Sequence, residues 1–286
     1  MCTQLFFTFF QKNNVQKQKT AQKYAKKQKN STKGLFNLQL VRNFAYKKFF
    51  KVMKKKDSAV MADAVSSLQD IMQMLSTQEQ EELKDNISIQ HFKKNETLYQ
   101  EGEVPQMFHC LISGKVKIFK DGIGGRTQIV RVIKPVEYFG YRAYFANQNY
   151  VTSAAAFEPS TVCLIPIELM ERWMMENNQL ALFFIRQLAV EVGNSDQRTV
   201  NLTQKHIRGR LAESLLFLRD NYGLEEDGAT LSIYLSREDL ANMSNMTTSN
   251  AIRTLSAFAQ EKIIAIDGKK IKIIDGENLE RINKIG

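Results

Sequence analysis

The sequence has few of the residues from which catalytic and metal sites are usually built. Its 286 residues include one tryptophan and three histidines, and His91, His109 and His206 lie far apart along the chain. The motifs HExxH and GxSxG and the phosphate-binding P-loop are missing. An enzyme would need a clustered acid, base, nucleophile or metal set. Since the sequence contains none, we expect a protein that is not an enzyme.

Cysteine and long apolar runs are also scarce. Cys2, Cys110 and Cys163 show neither CxxC spacing nor the even framework of a secreted, disulfide-bonded domain. Cys110 and Cys163 fall in apolar runs and are most simply buried core residues. The apolar run at residues 5–10 is too short to span a bilayer and lacks a preceding charged segment. We therefore expect a cytoplasmic protein with no membrane partner.

Positive charge is confined to one end of the chain. The formal net charge is +10, but residues 1–56 hold 15 of the 40 basic side chains and no acidic ones. The other 230 residues hold 25 basic and 30 acidic side chains, a net charge of −5. Residues 205–286 are neutral, with 12 of each sign. The overall charge is therefore a property of the N-terminal arm and does not by itself indicate nucleic-acid binding.

That arm, residues 1–60, has no apolar period long enough to build a core. Three interpretations stay open: a disordered basic tail that adds non-specific DNA affinity, a membrane-surface anchor, or an extension translated from a misassigned start codon. The last is favoured because Met53 and Met61 lie just before the first well-patterned segment.

A helix-turn-helix pattern occupies residues 236–255. Ser236 is predicted to cap the first helix, because its hydroxyl can accept a hydrogen bond from an unpaired amide, and Asp239 follows as a near capping box. Leu240 and Met243 give this helix an apolar face. The turn is predicted at residues 244–246.

The second helix of this pattern is predicted to begin at a Thr247 or Thr248 cap. Ala251, Ile252 and Leu255 are predicted to point inward. The opposite face carries short or forked hydrogen-bonding groups, which suit base edges and phosphates, at Thr248, Ser249, Asn250 and Arg253. This face favours DNA binding.

A basic hairpin follows directly. Strand-like runs at residues 262–266 and 270–274 flank Asp267 and Gly268, a pair typical of tight hairpin turns. A two-stranded wing after a recognition helix indicates a winged helix-turn-helix over residues 206–286. The alternative is an ordinary helical hairpin followed by a β-hairpin, with no nucleic acid involved. We predict DNA contacts from Ser236, Arg237, Thr247, Thr248, Ser249, Asn250, Arg253, Lys269 and Lys270.

Short strands precede this module. After a helical lead at residues 67–75 and an acidic helix with a predicted Thr77 cap, strand-like runs alternate with glycine-containing turns. The runs are at residues 107–113, 115–120, 129–133 and 161–165. This pattern predicts a small barrel or jelly roll within residues 67–177.

Helical periodicity returns over residues 178–205. Three- and four-residue steps form a single coiled-coil-like seam through Ile185, Leu188, Val192, Ser195, Thr199 and Leu202. The helix could instead pack against its own barrel. We favour an intermolecular seam and a homodimer, because a helix-turn-helix usually reads two half-sites.

This order of parts resembles the Crp/Fnr family over about residues 70–275. Five motifs occur in the expected order: residues 102–103, 112–116, 135–140, 207–212 and the helix-turn-helix. The resemblance implies an α+β chain with an N-terminal β jelly-roll effector domain, a long dimerisation helix and a C-terminal winged helix-turn-helix. It also implies a dimeric bacterial transcription regulator that bends a palindromic site in double-stranded DNA and contacts RNA polymerase. Base reading would fall to Thr248, Ser249 and Arg253.

The sequence departs from the family's cyclic-nucleotide-binding members at the effector site. Those members supply a Gly-Glu-Leu segment followed by an arginine, because a buried cyclic phosphate needs a guanidinium and the ribose needs a carboxylate. Here the carboxylate position is tyrosine and the arginine position is an uncharged segment. The candidate effector residues are Gly140, Tyr141, Arg142, Tyr150, Thr152, Ser153, Ser195 and Asp196. We hypothesise that cyclic AMP is not the ligand; micromolar binding by calorimetric titration would contradict this.

Other sensing chemistries of the family have no support in the sequence. An iron–sulfur sensor needs a cysteine cluster before the barrel, and only Cys2 lies there. A haem sensor needs axial ligands to the iron, and the three histidines are too scattered in the sequence for any of them to be proposed as one. No cofactor is identified and the small-molecule effector is unknown. A ligand-sensing protein that acts on a protein partner without binding DNA is the alternative function.

Overall fold

The computed structural model describes residues 58–122 and 125–285. They belong to one compact unit. The three interpretations of the N-terminal arm lie outside the described residues.

A helical lead precedes the β domain. It comprises α1 (Ser58–Ser67), α2 (Gln69–Met72) and α3 (Thr77–Asn86). The cap of α3 is Ser76 and not Thr77, which corrects the prediction by one residue. Ser76 Oγ accepts a hydrogen bond from the Glu79 amide, while the Glu79 carboxylate accepts one from the Ser76 amide at 2.7 Å. Thr77 has Gln80 at the same three-residue spacing, but the Gln80 side chain donates instead to the carbonyls of Met72 and Leu75.

The β domain is a two-sheet antiparallel roll. Its strands are β1 (Ser88–Phe92), β2 (Thr97–Tyr99), β3 (Met107–Ser113), β4 (Val116–Asp121), β5 (Thr127–Ile133), β6 (Tyr138–Phe139), β7 (Ser153–Ala156) and β8 (Ser160–Pro166). One sheet has the order β1-β8-β3-β6 and the other β2-β7-β4-β5. The predicted jelly-roll fold is confirmed. Neighbouring strands distant in sequence, such as β1 and β8, close the roll.

One short helix lies within the roll and two helices follow it. The one-turn helix α4 (Arg142–Phe145) lies between β6 and β7, and β8 is followed by α5 (Ile167–Glu176) and the long helix α6 (Asn178–Gln204). Asn177 caps α6 with its side-chain oxygen, which accepts from two first-turn amides at 3.1 Å. Phe108 on β3, Trp173 on α5 and Phe184 on α6 belong to one buried cluster. This cluster holds the first turns of α6 against the roll.

The C-terminal module contains the predicted winged helix-turn-helix. Its elements are α7 (Ile207–Tyr222), α8 (Arg237–Met243), α9 (Thr248–Gln260), β9 (Ile264–Asp267), β10 (Lys270–Ile273) and α10 (Gly276–Ile285). Asp267 pairs with Lys270, so the two turn residues are Gly268 and Lys269, and not Asp267 and Gly268 as predicted. Gly268 has φ +54°, which glycine adopts without the strain that a side chain would bring.

The roll and the C-terminal module pack against each other. Ile129, Val132 and Phe157 of the roll join the hydrophobic cluster that contains Leu240 and Met243 of α8. α8, the first helix of the helix-turn-helix, therefore lies beside β5.

Candidate DNA interface and effector region

The first helix of the helix-turn-helix is fixed at its N-terminus, as predicted. Ser236 Oγ accepts from the Asp239 amide at 3.0 Å and donates to the Asp239 carboxylate at 2.7 Å. The other oxygen of that carboxylate pairs with Lys117 of β4 at 2.9 Å. Ser236 therefore has a structural role as a cap, and Asp239 joins the cap to the roll.

The turn between the two helices has the expected bounds. Asn245 has φ +49°, a left-handed conformation that asparagine tolerates better than most residues. The Met246 amide donates to the Ala241 carbonyl at 3.0 Å. Thr247 caps α9 by accepting from the Asn250 amide at 3.3 Å. Its side chain is exposed.

The outer face of α9 carries the predicted base-reading residues. Thr248, Ser249 and Arg253 are exposed, and Asn250 is half-buried. Arg253 Nη2 donates to Asn250 Oδ1 at 2.8 Å. This bond leaves the rest of the guanidinium fork facing solvent and restricts its direction, so Asn250 positions Arg253.

One residue of α9 differs from its predicted orientation. Ile252 was expected to point inward, but its side chain is 47% exposed. The buried positions are Ala251, Leu255 and Phe258. Residue 252 is rotated by about 100° from residue 251 around a helix of 3.6 residues per turn, which takes it out of the core face.

The wing carries less free charge than its lysines suggest. Lys270 pairs with Glu225 at 3.3 Å and Lys272 pairs with Asp227 at 3.1 Å. Backbone amides of Thr230 and Ala229 hold the pKa of Asp227 far below its usual value. Lys269, at the tip of the turn, has no ion pair within the described ranges. Of the two predicted wing contacts, Lys269 is thus the freer cation.

Arg237 connects the wing to the first helix. Its Nη2 donates to the Gly268 carbonyl at 2.7 Å. The side chain is half-buried, and its Nη1 is buried without a protein partner. The predicted DNA contact at Arg237 therefore coincides with a bond that holds the wing turn beside α8.

A single arginine of α6 links the roll and the helix-turn-helix. Arg198 donates to the carbonyls of Val130 and Ile129 on β5, each at 2.7 Å, and to the carbonyl of Met243 at 3.3 Å. Burial lowers the pKa of the guanidinium from its usual value. Arg198 joins three elements, and sequence reasoning missed it because its partners lie 45 to 69 residues away.

The interior of the roll is occupied by its own aromatic rings. Tyr99 and Tyr150 stack with ring centroids 3.9 Å apart, and His109 stacks on Phe139 at 5.0 Å. Tyr99 and His109 approach to 5.4 Å. All four are buried. Burial raises the pKa of Tyr99 to about 12 and lowers that of His109 to about 4, because neither charged form is solvated there.

Gly140 lies against this aromatic group. A Cβ on Gly140 would stand 2.5 Å from His109 Nδ1, and the residue has φ +82°. Thr152 hydrogen-bonds Tyr99, and Ser153 Oγ accepts from the Glu101 amide at 3.0 Å. Gly140, Tyr150, Thr152 and Ser153 thus surround or support the aromatic group.

The remaining predicted effector residues lie outside this group of stacked rings, although the charge of Arg142 is near enough to act on the pKa of Tyr99. Tyr141 is buried and stacks on Phe108 at 4.8 Å, within the cluster that holds α6. Arg142 is exposed at the start of α4. Ser195 and Asp196 are exposed on α6. A nearby charged pair that sequence reasoning missed, Arg131 Nη1 to Glu191 Oε1 at 2.5 Å, joins β5 to α6.

Membrane and metal features are not found in residues 58–122 and 125–285. No helix there is both long enough and apolar enough to cross a bilayer. No group of three His, Cys, Asp or Glu side chains in the same ranges could hold a metal ion.

Comparison with known proteins gives two domain matches. Residues 89–177 match the cyclic nucleotide-binding domain, and residues 209–282 match the Crp-like helix-turn-helix domain.

Several known proteins are similar to about two thirds of this chain. The CRP-like cAMP-activated global transcriptional regulator of Mycobacterium tuberculosis is 26% identical over 191 residues, which cover 66% of this chain and 85% of that protein. The transcriptional activator protein Anr of Pseudomonas protegens is 26% identical and is covered to 75%, against 64% of this chain. The structure of FixK2 from Bradyrhizobium japonicum shares the fold, with a TM-score of 0.63 and 21% identity over 69% of this chain and 97% of that one.

Proposed function

Because this chain belongs to the Crp/Fnr family of transcription regulators, we propose that it acts as a homodimer on a palindromic site in double-stranded DNA. The observation that carries the proposal is the outer face of α9. Its hydroxyl and guanidinium groups at Thr248, Ser249 and Arg253 are exposed, although the opposite face is fully packed. The resemblance to the family further implies that the protein contacts RNA polymerase.

Base reading is assigned to the N-terminal half of α9. Arg253 donates bidentately to guanine O6 and N7, with Asn250 holding the guanidinium in place. Thr248 and Ser249 supply shorter groups to neighbouring base edges or phosphates. The exposed Lys269 reaches the phosphate backbone from the wing, while Thr247, Ser236 and Arg237 set the positions of α8, α9 and the wing.

The dimer is assigned to α6. Two apolar residues of the predicted seam, Ile185 and Val192, are exposed in the single chain, and Leu188 and Leu202 on the same face are half-buried. This supports a partner helix that covers them. We infer a division into a jelly-roll domain at residues 67–177, a dimerisation helix at 178–205 and a DNA-binding domain at 206–286.

The effector is assigned to a class other than cyclic AMP. The relative from Mycobacterium tuberculosis is described as cAMP-activated. In this chain, the position that needs a carboxylate is Tyr141, which is buried against Phe108. The position that needs an arginine is near Tyr150, whose ring fills space against Tyr99. Both observations support a roll that does not take a cyclic nucleotide in the family's manner.

Selection from random duplex DNA, with the full chain and no added ligand, tests the proposal. We expect a palindromic consensus whose half-sites are about one helical turn apart, roughly 34 Å. No enrichment, either alone or with an extract of cell metabolites, would contradict DNA recognition and favour the sensor that acts on a protein partner. Calorimetric titration with cyclic AMP tests the effector assignment, and micromolar binding would overturn it.

A further inference from the structure

An exposed isoleucine lies among the polar groups of the outer face of α9. Ile252 is 47% exposed, and it follows Ser249 by three residues and precedes Ser256 by four. Residues three and four apart are neighbours on a helix surface. The exposed residues at these spacings, Thr248, Ser249 and Ser256, all have short side chains, so the isoleucine stands above the surface. Arg253 adjoins it in sequence.

Packing within the module does not explain this isoleucine. The hydrophobic cluster of the C-terminal module takes Ala251, Leu255 and Phe258 from α9 but not Ile252. Isoleucine is also a weaker helix former than alanine or leucine. Single exposed apolar residues are common on proteins, so the location of this one is what matters: it shares a face with the base-reading groups.

The chemistry of the major groove offers one apolar feature. Each base pair presents hydrogen-bonding groups there, and thymine adds a C5-methyl group. A β-branched side chain has few rotamers in a helix, so it is preorganised to cover such a group at small entropic cost. Cytosine methylated at C5 presents the same methyl group in the same groove.

We propose that Ile252 reads the C5-methyl group of a pyrimidine in each half-site, next to the guanine read by Arg253. The inference rests on the proposed function, because it requires α9 to enter the major groove. It adds a specificity residue that discriminates by apolar contact where its neighbours use hydrogen bonds.

The test begins with the duplex obtained by selection with the full chain. Each thymine is replaced in both half-sites by deoxyuridine, which removes only the methyl group, and the Kd is measured. In a second series, each cytosine of the half-sites is replaced by 5-methylcytosine. Burial of one methyl group corresponds to about a fourfold change in Kd, and two symmetric contacts to about fifteenfold.

Ile252→Ala is the diagnostic variant, with Ile274→Ala as its control because Ile274 is also exposed in the same module but lies outside α9. When deoxyuridine replaces thymine at one position of both half-sites, the DNA affinity of the wild type and of Ile274→Ala should fall about fifteenfold. Ile252→Ala should bind the two duplexes equally. Alanine favours helix, so α9 should persist in the variant, which thermal unfolding checks.

The two methyl sources give different results. Weaker binding after deoxyuridine replaces a thymine identifies thymine as the base that Ile252 reads. Tighter binding after 5-methylcytosine replaces a cytosine identifies 5-methylcytosine. A consensus whose affinity changes by less than twofold in every substituted duplex would overturn the role of Ile252 and leave the proposed function standing. Equal losses in wild type and Ile252→Ala would do the same. A failure to obtain any consensus would overturn both.

Discussion

The stability of the roll should decrease as the pH is lowered, because of the buried His109. Its imidazole is buried between the rings of Tyr99 and Phe139, and its Nδ1 has no hydrogen-bond partner. Burial is the main cause that lowers the pKa of His109 from 6.5 to about 4, and hydrogen bonding to the backbone of Phe139 and Met107 opposes it only in part. The folded roll therefore keeps this histidine neutral.

The direction follows from proton binding. Between pH 6.5 and 4 the unfolded chain binds a proton at His109 that the folded chain does not bind. The contribution of His109 to stability is therefore complete above pH 6.5 and is lost as the pH falls towards 4. A pKa difference of about 2.5 corresponds to about 3 kcal/mol in total, of which about 2 kcal/mol disappears between pH 7 and pH 5.

Urea unfolding measures this loss, with fluorescence of Trp173 as the probe. Trp173 is the single tryptophan of the sequence and is buried in the cluster between the roll and α6, so it reports on the roll rather than on the DNA-binding module. In His109→Phe, the fall in the free energy of unfolding from pH 7 to pH 5 should be smaller than in the wild type by about 2 kcal/mol.

His91→Gln is the matched control, since it removes an exposed histidine and leaves His109 in place. Its free energy of unfolding should fall between pH 7 and pH 5 by as much as that of the wild type. The reasoning would be refuted if the wild type and His109→Phe lost the same free energy between pH 7 and pH 5.

Three further substitutions test other contacts. Arg253→Ala should weaken specific DNA binding by about 1–3 kcal/mol and relax preference at one base position without changing the melting temperature; an unchanged footprint would count against base contact. Arg198→Met should lower the free energy of unfolding by about 2 kcal/mol, because it removes charge-assisted bonds to three carbonyls. Arg186→Met, an exposed change on the same helix, should be neutral in the same urea titration; equal effects would argue against the link. Gly140→Ala should cost about 1–2 kcal/mol for its left-handed backbone and more for the Cβ contact with the imidazole. Gly102→Ala is the control, because Gly102 has a similar φ but open space around it, so this variant should show the backbone cost alone. Equal melting temperatures for Gly140→Ala and Gly102→Ala would contradict the predicted contact with the His109 imidazole.

Local features of the helix-turn-helix were predictable from the sequence. Ser236 caps a helix through residues three positions away, and such bonds depend on spacing alone. Four strands of the roll, β3, β4, β5 and β8, were predicted for the same reason, because glycines and alternation mark them, whereas β1, β2, β6 and β7 were not predicted individually. The errors at Ser76 and Gly268 are shifts of one residue where two neighbours had similar propensities.

Features set by distant contacts could not be predicted. The inward orientation expected for Ile252 was wrong because the core face of α9 depends on which elements pack against it. The bond between Lys117 and Asp239 joins residues 122 positions apart. Tyr141 was placed in an effector region by resemblance, and its packing against Phe108 and Phe184 could not be read from the sequence.

The paired lysines of the wing affect how the regulator searches DNA. Non-specific affinity depends on counterions released when cations neutralise phosphates, and it falls steeply with salt in proportion to the number of such contacts. Lys270 and Lys272 already have carboxylate partners, and residues 205–286 have no net charge. We therefore expect this module alone to release few counterions on an arbitrary sequence and to stay only briefly on non-target DNA. If α9 reads bases as proposed, those contacts set the module's discrimination between sites more than the ionic strength does.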